Sequence, residues 1–352
     1  MGIYSKKYTF GKYKKGLRNK ITDVKGVKVG HVTLDSGPIK TGVTAILPHG
    51  GNTYKEKVIA ACSVLNGFGK SVGLVQIEEL GTLESPIIMT NTLSVGTALT
   101  ASIKYMMEEN PDMGANSGAT NCVVTECNDG VLNDMRGLHI TEEHVIDAIK
   151  NASEDFEEGS IGAGRGMISM NLKSGIGSSS RIVQLDDEEY TIGTLVLSNT
   201  GTIKNFRICG ESIGEMMYNA RKANKKEEFE KGSIIIVIAT DIPANDRQLK
   251  RIANRASIAL GRVGSYMGHG SGDIAIAFST SNKIYHDSEK TILNTKMLDD
   301  DKIDTIFNAT VDSIEESIVS SIIHSVTTKG RNDKVIYSLK DNLSNLGMEF
   351  EI

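Results

Sequence analysis

A serine preceded by a glycine heads the apolar run Ser233-Ile-Ile-Ile-Val-Ile-Ala239. Were the Gly232–Ser233 peptide bond to break, Ser233 would become an N-terminus carrying both a hydroxyl nucleophile and a free α-amine. With an unperturbed pKa of about 7.7–8.0, that amine takes up a proton near neutrality without help from a histidine. In the uncleaved chain the hydroxyl would attack the Gly232 carbonyl, giving an ester that water opens. Glycine at 232 tolerates the strained backbone such an attack needs. In the cleaved chain the same hydroxyl would attack a substrate carbonyl, and the acyl-enzyme would be hydrolysed. This is amide hydrolase chemistry. A second serine and an acid, Ser271 and Asp273, lie in the glycine-rich turn Gly268-His-Gly-Ser-Gly-Asp273, which leads into Ile274-Ala-Ile-Ala-Phe278. Two neighbouring strands opening toward one end would bring Ser233, Ser271 and Asp273 together.

Other patterns carry less. Gly69-Lys70-Ser71 has the tail of a phosphate-binding loop, but Val64 stands where its first glycine belongs. Gly162-Ala-Gly-Arg-Gly166 places its third glycine one residue early for a dinucleotide fingerprint. His269 suggests a pair with Ser271, yet an amine base makes it unnecessary, and it reads as a turn residue. Cys62, Cys122, Cys127 and Cys209 form no CxxC pair, and no two histidines sit at HxxxH spacing. Reduced thiols, no metal and no cofactor are the expectation.

The elements that must position these residues read as alternating strands and helices. Strands are predicted at 43–47, 71–76, 86–89, 122–126, 167–172, 193–198, 233–239 and 273–278. Thr141 can cap a helix over 142–152, with Glu142 and Glu143 in its first turn. Leu249, Ile252, Ala253, Ala256, Ala259, Leu260 and Val263 form an apolar stripe at helical spacing, entered through a capping box from Asn245 to Gln248. A third helix is predicted over 300–327. The charged stretch 218–232 reads as a solvated loop that becomes a mobile tail once the chain is cut. The pattern indicates a layered α/β protein.

With 352 residues the chain can bury a large core, and its net charge of −5 without a basic face argues against a nucleic-acid partner. Seven apolar residues are too few to cross a bilayer. The first residues lack a signal-peptide core, and Lys6 breaks the myristoylation pattern. A soluble, cytoplasmic protein with no membrane partner is expected.

Motifs along nearly the whole chain strengthen the reading. Ile21-Thr-Asp-Val-Lys-Gly-Val-Lys-Val-Gly-His31, Lys40-Thr-Gly-Val-Thr-Ala-Ile46, Val64-Leu-Asn-Gly67, Glu79-Leu-Gly-Thr-Leu83 and Thr90-Asn-Thr-Leu-Ser-Val-Gly96 come first. Val123-Val-Thr-Glu126, Asp129-Gly130, Gly162-Ala-Gly164 and Ser198-Asn-Thr-Gly201 follow in order before the Ser233 run. In this order they resemble the serine aminopeptidases of the DmpA type, which include the β-peptidyl aminopeptidases and the L-aminopeptidase/D-esterases. The resemblance implies one domain over residues 1–352, a four-layer α/β/β/α sandwich with two central sheets. It implies self-cleavage into residues 1–232 and 233–352, with Ser233 as nucleophile.

By the same resemblance, Ser271 and Asp273 hold and polarise the Ser233 hydroxyl and amine, and Asn199 supplies the oxyanion hole. Glu126 would anchor the substrate's free amino group. Asn128 stands where the family often has an aromatic residue, which bears on substrate preference. The implied substrates are short peptides, aminoacyl amides or esters, and the implied assembly is a homo-oligomer, often a tetramer. Two alternatives share the fold: an endo-amidase on non-peptide oligoamides, and an unprocessed homologue that binds peptides or amines. Relatives of the first kind, like the acetyl-transferring ones, use threonine where Ser233 stands.

Overall fold

The Ser233 run is apolar at successive positions because both of its faces are covered. Ile234, Ile236 and Ile238 enter one core, while Ile235, Val237 and Ala239 enter another. Strand side chains alternate between faces, so a continuous apolar run marks a strand sandwiched on both sides. The structure, a computed structural model, describes residues 4–5, 8–220, 229–347 and 350–351. Residues 221–228, the middle of the charged stretch before Ser233, lie outside the described residues.

In chain order the main elements are β1 (Lys28–Ser36), β2 (Ile39–Leu47), β3 (Glu56–Gly67), α1 (Leu74–Leu80), β4 (Thr82–Leu83), β5 (Ile87–Asn91), α2 (Val95–Glu109), β6 (Val123–Cys127) and α3 (Glu142–Lys150). Then come β7 (Ile176–Leu185), β8 (Glu188–Asn199), α4 (Ile213–Ala220), β9 (Lys231–Thr240), α5 (Asp246–Ala253), α6 (Ala256–Val263), β10 (Gly270–Tyr285), α7 (Ile303–Ile323) and α8 (Leu339–Asn345). A four-stranded sheet has the order β1-β2-β5-β6, and a six-stranded sheet the order β7-β8-β9-β10-β3-β4.

Three cores separate four layers. Val43, Ala45, Ile88 and Val124 of the smaller sheet pack on Val95, Ala98, Val145 and Ile149 of α2 and α3. Between the sheets, Val29, Ile46, Ile87 and Met89 meet Val58, Leu195, Val237, Ile276 and Phe278. On the outer face of the larger sheet, Val196, Ile236 and Ala275 meet Leu249, Ala256, Leu260, Ile314 and Ile318 of α5, α6 and α7. This is the α/β/β/α sandwich expected above.

The register positions the site. β9 lies between β8, antiparallel with Asn199 opposite Ser233, and β10, parallel with Gly272 opposite Ser233 and Asp273 opposite Ile234. β3 runs antiparallel to β10, bringing Asn66 opposite Asp273. β6 ends in the facing sheet at Glu126 and Cys127.

Several predicted elements differ. Residues 71–76 are not a strand: Val72 makes one bridge to Val124, Gly73 turns with φ +87°, and α1 follows, closed by left-handed Gly81. Residues 167–172 form no continuous strand but begin a tight hairpin pairing Ile168–Ser169 with Leu172–Lys173. The capping box from Asn245 to Gln248 is present, yet the stripe breaks at Asn254–Arg255 into α5 and α6. Asn254 accepts the Ser63 hydroxyl through Oδ1 at 2.6 Å, and the Arg255 guanidinium lies 3.7 Å from the centre of the Phe307 ring. β9 starts at Lys231, so the Gly232–Ser233 bond lies inside a strand and not at its entry.

Candidate active site

The Ser233 side chain is buried, and its Oγ donates to the Gly232 carbonyl oxygen at 2.6 Å. Gly232 has no left-handed φ, so its backbone conformation alone does not demand glycine. What requires glycine is a close approach: a Cβ built there would sit 2.1 Å from the Asn199 carbonyl oxygen. The polypeptide before it is tied down by Glu230, which the sequence reading missed. Buried Glu230 accepts from the Thr200 hydroxyl at 2.9 Å, from the Ser265 hydroxyl and from the Tyr266 amide at 2.8 Å, while its own amide donates to the Tyr266 hydroxyl at 2.6 Å. A glutamate at the end of a charged stretch carries no sign in sequence that it is buried.

Asn199 faces the same side of the sheet as Ser233. Its Oδ1 accepts from the Ile168 amide at 3.0 Å, and its Nδ2 donates to the Asn128 carbonyl at 3.1 Å. Those bonds hold the amide in one orientation and use one of its two N–H groups, so one remains to be offered. Gly69 and Phe68, at the end of β3, close the other flank. Gly272 of β10 is hemmed in there, since a Cβ would lie 2.8 Å from the Phe68 carbonyl oxygen. Asn66, also unforeseen as a site residue, donates through Nδ2 to the carbonyls of Gly268, His269 and Ser271, clipping the start of β10.

Ser271 and Asp273 are paired, with the Ser271 hydroxyl donating to Asp273 Oδ1 at 2.7 Å, and both are buried. Alternation places them on the face shared with Gly232 and Ile234, away from the Ser233 hydroxyl, and neither lines the cavity described below. The structure therefore does not bring them to the hydroxyl. Their neighbour is the backbone: Asp273 pairs in register with Ile234, one residue beyond the nitrogen that cleavage would free, and the Ile234 amide helps to hold the carboxyl down. Burial pushes the Asp273 carboxyl up to about 6; the Ser271 hydroxyl pulls it down and the Glu230 carboxylate raises it. Its Oδ2 is buried with no hydrogen-bond partner among the described residues. His269 is exposed and does not line the cavity.

Glu126 reaches the site from the facing sheet. It is buried; Oε1 accepts from the Lys70 amide at 2.9 Å and Oε2 from the Thr92 hydroxyl. A carboxylate offers about four acceptor positions, so an ammonium can still bind it. Thr92 is the third residue the sequence reading passed over, after Glu230 and Asn66. Asn128 is exposed; its side chain accepts from the Gly130 amide at 3.0 Å, forming a turn, while its edge borders the cavity.

These groups converge on a cavity of about 460 Å³ lined by Ser233, Gly232, Asn199, Glu126, Asn128 and Thr92, with Phe68, Lys70, Lys231, Lys334 and Ile336 on its remaining walls. A buried hydroxyl beside a carbonyl, a fixed amide N–H and a held carboxylate make a site suited to acyl transfer from a substrate bearing an amine.

Known proteins resemble the chain over nearly its whole length. Residues 19–336 match the model of peptidase family S58. The chain is 36% identical over 347 residues to a beta-peptidyl aminopeptidase of Sphingosinicella microcystinivorans, covering 93% of this chain and 86% of the relative. Among solved structures, the PH0078 protein of Pyrococcus horikoshii OT3 superposes with a TM-score of 0.90 at 50% identity, covering 96% of this chain and 95% of that one. The L-aminopeptidase D-Ala-esterase/amidase of Ochrobactrum anthropi, described as a prototype of the serine aminopeptidases and a variant of the Ntn hydrolase fold, gives 0.87 at 34% identity, covering 96% of both chains.

Proposed function

The chain belongs to peptidase family S58, and on that premise we propose that it cuts itself between Gly232 and Ser233 and then works as an N-terminal-serine aminopeptidase on short peptides, aminoacyl amides or esters. The observation that carries this reading is the Ser233 hydroxyl, 2.6 Å from the oxygen of the carbonyl it must attack. In the first step Oγ bonds to the Gly232 carbonyl carbon and the C–N bond breaks. This leaves an ester on Ser233 and a free α-amine, and water then opens the ester. In turnover, the α-amine accepts the hydroxyl proton as Oγ attacks the substrate, and returns it to the departing amine.

The remaining N–H of Asn199 is aimed at the developing oxyanion, and Glu126 receives the substrate's ammonium. Asp273, lying by the backbone on the other face, orients the freed amine in place of the hydroxyl.

Assembly into a homo-oligomer in the cytoplasm belongs to the same reading. It is supported by Val75 and Leu80 of α1, which are 85% and 61% exposed beside a groove walled by Cys62, Val64 and Leu74. No helix among the described residues is long and apolar enough to cross a membrane.

The test is hydrolysis of a panel of aminoacyl p-nitroanilides beside their N-acetylated forms. Free-amine substrates should turn over and blocked ones should not, because acetylation leaves the buried Glu126 carboxylate without its ammonium. Equal turnover of blocked and free substrates would replace this reading with the endo-amidase one.

A further inference from the structure

We propose that Lys70 and Lys334 form a carboxylate-binding rim on the cavity, selecting substrates whose leaving portion carries an anion; this rests on the aminopeptidase reading of the same site. The charged residues lining the cavity are Lys70, Lys231, Lys334 and Glu126, three cations against one carboxylate. None of the three lysines has an ion-pair partner among the described residues. Elsewhere lysines such as Lys40, Lys57 and Lys283 are paired with acids. Glu126 is engaged by the Lys70 amide and the Thr92 hydroxyl, and in the proposed reaction it takes the substrate's ammonium. Once that ammonium has docked, the cavity keeps an excess of positive charge.

The two retained lysines have fixed backbones. The Lys70 amide is bound to Glu126, and its ammonium lies 4.6 Å from the centre of the Phe68 ring, which also lines the cavity. Lys334 closes a tight turn, donating to the Arg331 carbonyl at 3.1 Å and accepting from the Gly330 amide at 2.8 Å. Lys231 precedes the cleavage position, so it would end up beside the new Gly232 carboxylate. With the amine at Glu126 and the scissile carbonyl at Ser233, the leaving portion must occupy the rest of the cavity. About 460 Å³ fits a short peptide. In a free dipeptide the C-terminal carboxylate lies one residue beyond the scissile bond, within that volume. An acidic side chain on the same residue offers the same chemistry.

The experiment takes the aminoacyl group turned over best as its p-nitroanilide and compares five ligands: its dipeptide with alanine, that dipeptide's C-terminal amide, its dipeptide with aspartic acid amide, and the uncleavable ketomethylene analogues of the first two. Wild-type kcat/KM should be roughly tenfold higher for the free dipeptide than for its amide, carried by KM, since an interaction made equally in ground and transition states leaves kcat alone. The preference should shrink at high salt. It should fall toward unity in a Lys70→Ala/Lys334→Ala variant. Recovery by the aspartic acid amide would identify a rim that reads any nearby carboxylate; no recovery would restrict it to the C-terminal one.

Dissociation constants for the ketomethylene pair, measured calorimetrically, read the same ratio without turnover. If nothing is hydrolysed, the aminopeptidase reading fails while the rim is still tested. Equal affinity for acid and amide, or a ratio unchanged in the double variant, overturns the rim. So does a variant that only alters self-cleavage, which would assign the lysines to the chain's own Gly232 carboxylate.

Discussion

Gly232→Ala tests whether the close approach of β8 and β9 sets the geometry of self-cleavage. A Cβ at 232 would lie 2.1 Å from the Asn199 carbonyl oxygen and 3.1 Å from Thr200 Cα, both backbone atoms. Bringing the closer contact to 3.0 Å, the shortest that real Cβ atoms show, means opening the gap by 0.9 Å. No side chain can yield, because the two strands are locked in register at the Asn199–Ser233 pair. Overpacking of this kind costs about 1–3 kcal/mol. Moving a reacting group by about 1 Å costs about 100-fold in rate. The variant should therefore fold, melt lower and cleave itself about 100-fold more slowly. Gly261→Ala on α6, where nothing lies within 4 Å and φ is not left-handed, is the control and should cleave like wild type. The assay is intact mass against time after purification. Melting of Gly232→Ala/Ser233→Ala beside Ser233→Ala gives the stability cost with both chains uncut. Cleavage within about threefold of wild type, together with the expected loss of stability, would refute the argument that this contact positions the scissile bond.

Three further outcomes follow from the site. Glu230→Gln replaces an acceptor of three hydrogen bonds with a group that must place an NH₂ among donors. It should lower stability by about 1.5–3 kcal/mol and slow self-cleavage, as read by melting and mass time course. Thr92→Val removes the hydroxyl that holds Glu126 Oε2 and should raise KM for free-amine substrates about tenfold without abolishing cleavage. Asp273 binds its proton more tightly in the folded chain, at about 6 against an ordinary 3.8, so its contribution to stability is greatest below pH 4 and is lost as pH climbs to 6. In an uncut Ser233→Ala background, Asp273→Asn should thus melt above its parent at pH 7–8, with the gap closing toward pH 4. A gap that stays constant with pH would show that the carboxyl is not held up by burial.

Residues that pack against apolar partners were legible in the sequence; those that pack through hydrogen bonds were not. β9 announced itself by an unbroken apolar run, and α5 by its capping box. β7 was invisible because Ser178, Ser179 and Ser180 are buried polar residues. Ser179 donates to the Ser313 carbonyl of α7 at 2.6 Å, and a Cβ on Gly177 would sit 1.9 Å from the Ser317 carbonyl oxygen. Serine and glycine there let helix and sheet approach closely, which apolar periodicity cannot report. The stretch 71–76 misled because a short apolar run does not distinguish a strand from the start of a helix. At the site, motif order pointed to Ser233, Asn199 and Glu126, which the fold brings to the lining of one cavity. The orientation of Ser271 and Asp273 depended on register, which a single strand pattern leaves open. Glu230, Thr92 and Asn66 act through partners far away in sequence, so no local signal marks them.

The most direct measurement of the central claim is the intact mass and N-terminal sequence of the purified protein beside its Ser233→Ala variant. The account predicts two fragments in the wild type, one beginning Ser-Ile-Ile-Ile, and one uncut chain in the variant. A wild-type chain that remains whole after long incubation, or a variant cut at the same bond, would contradict it.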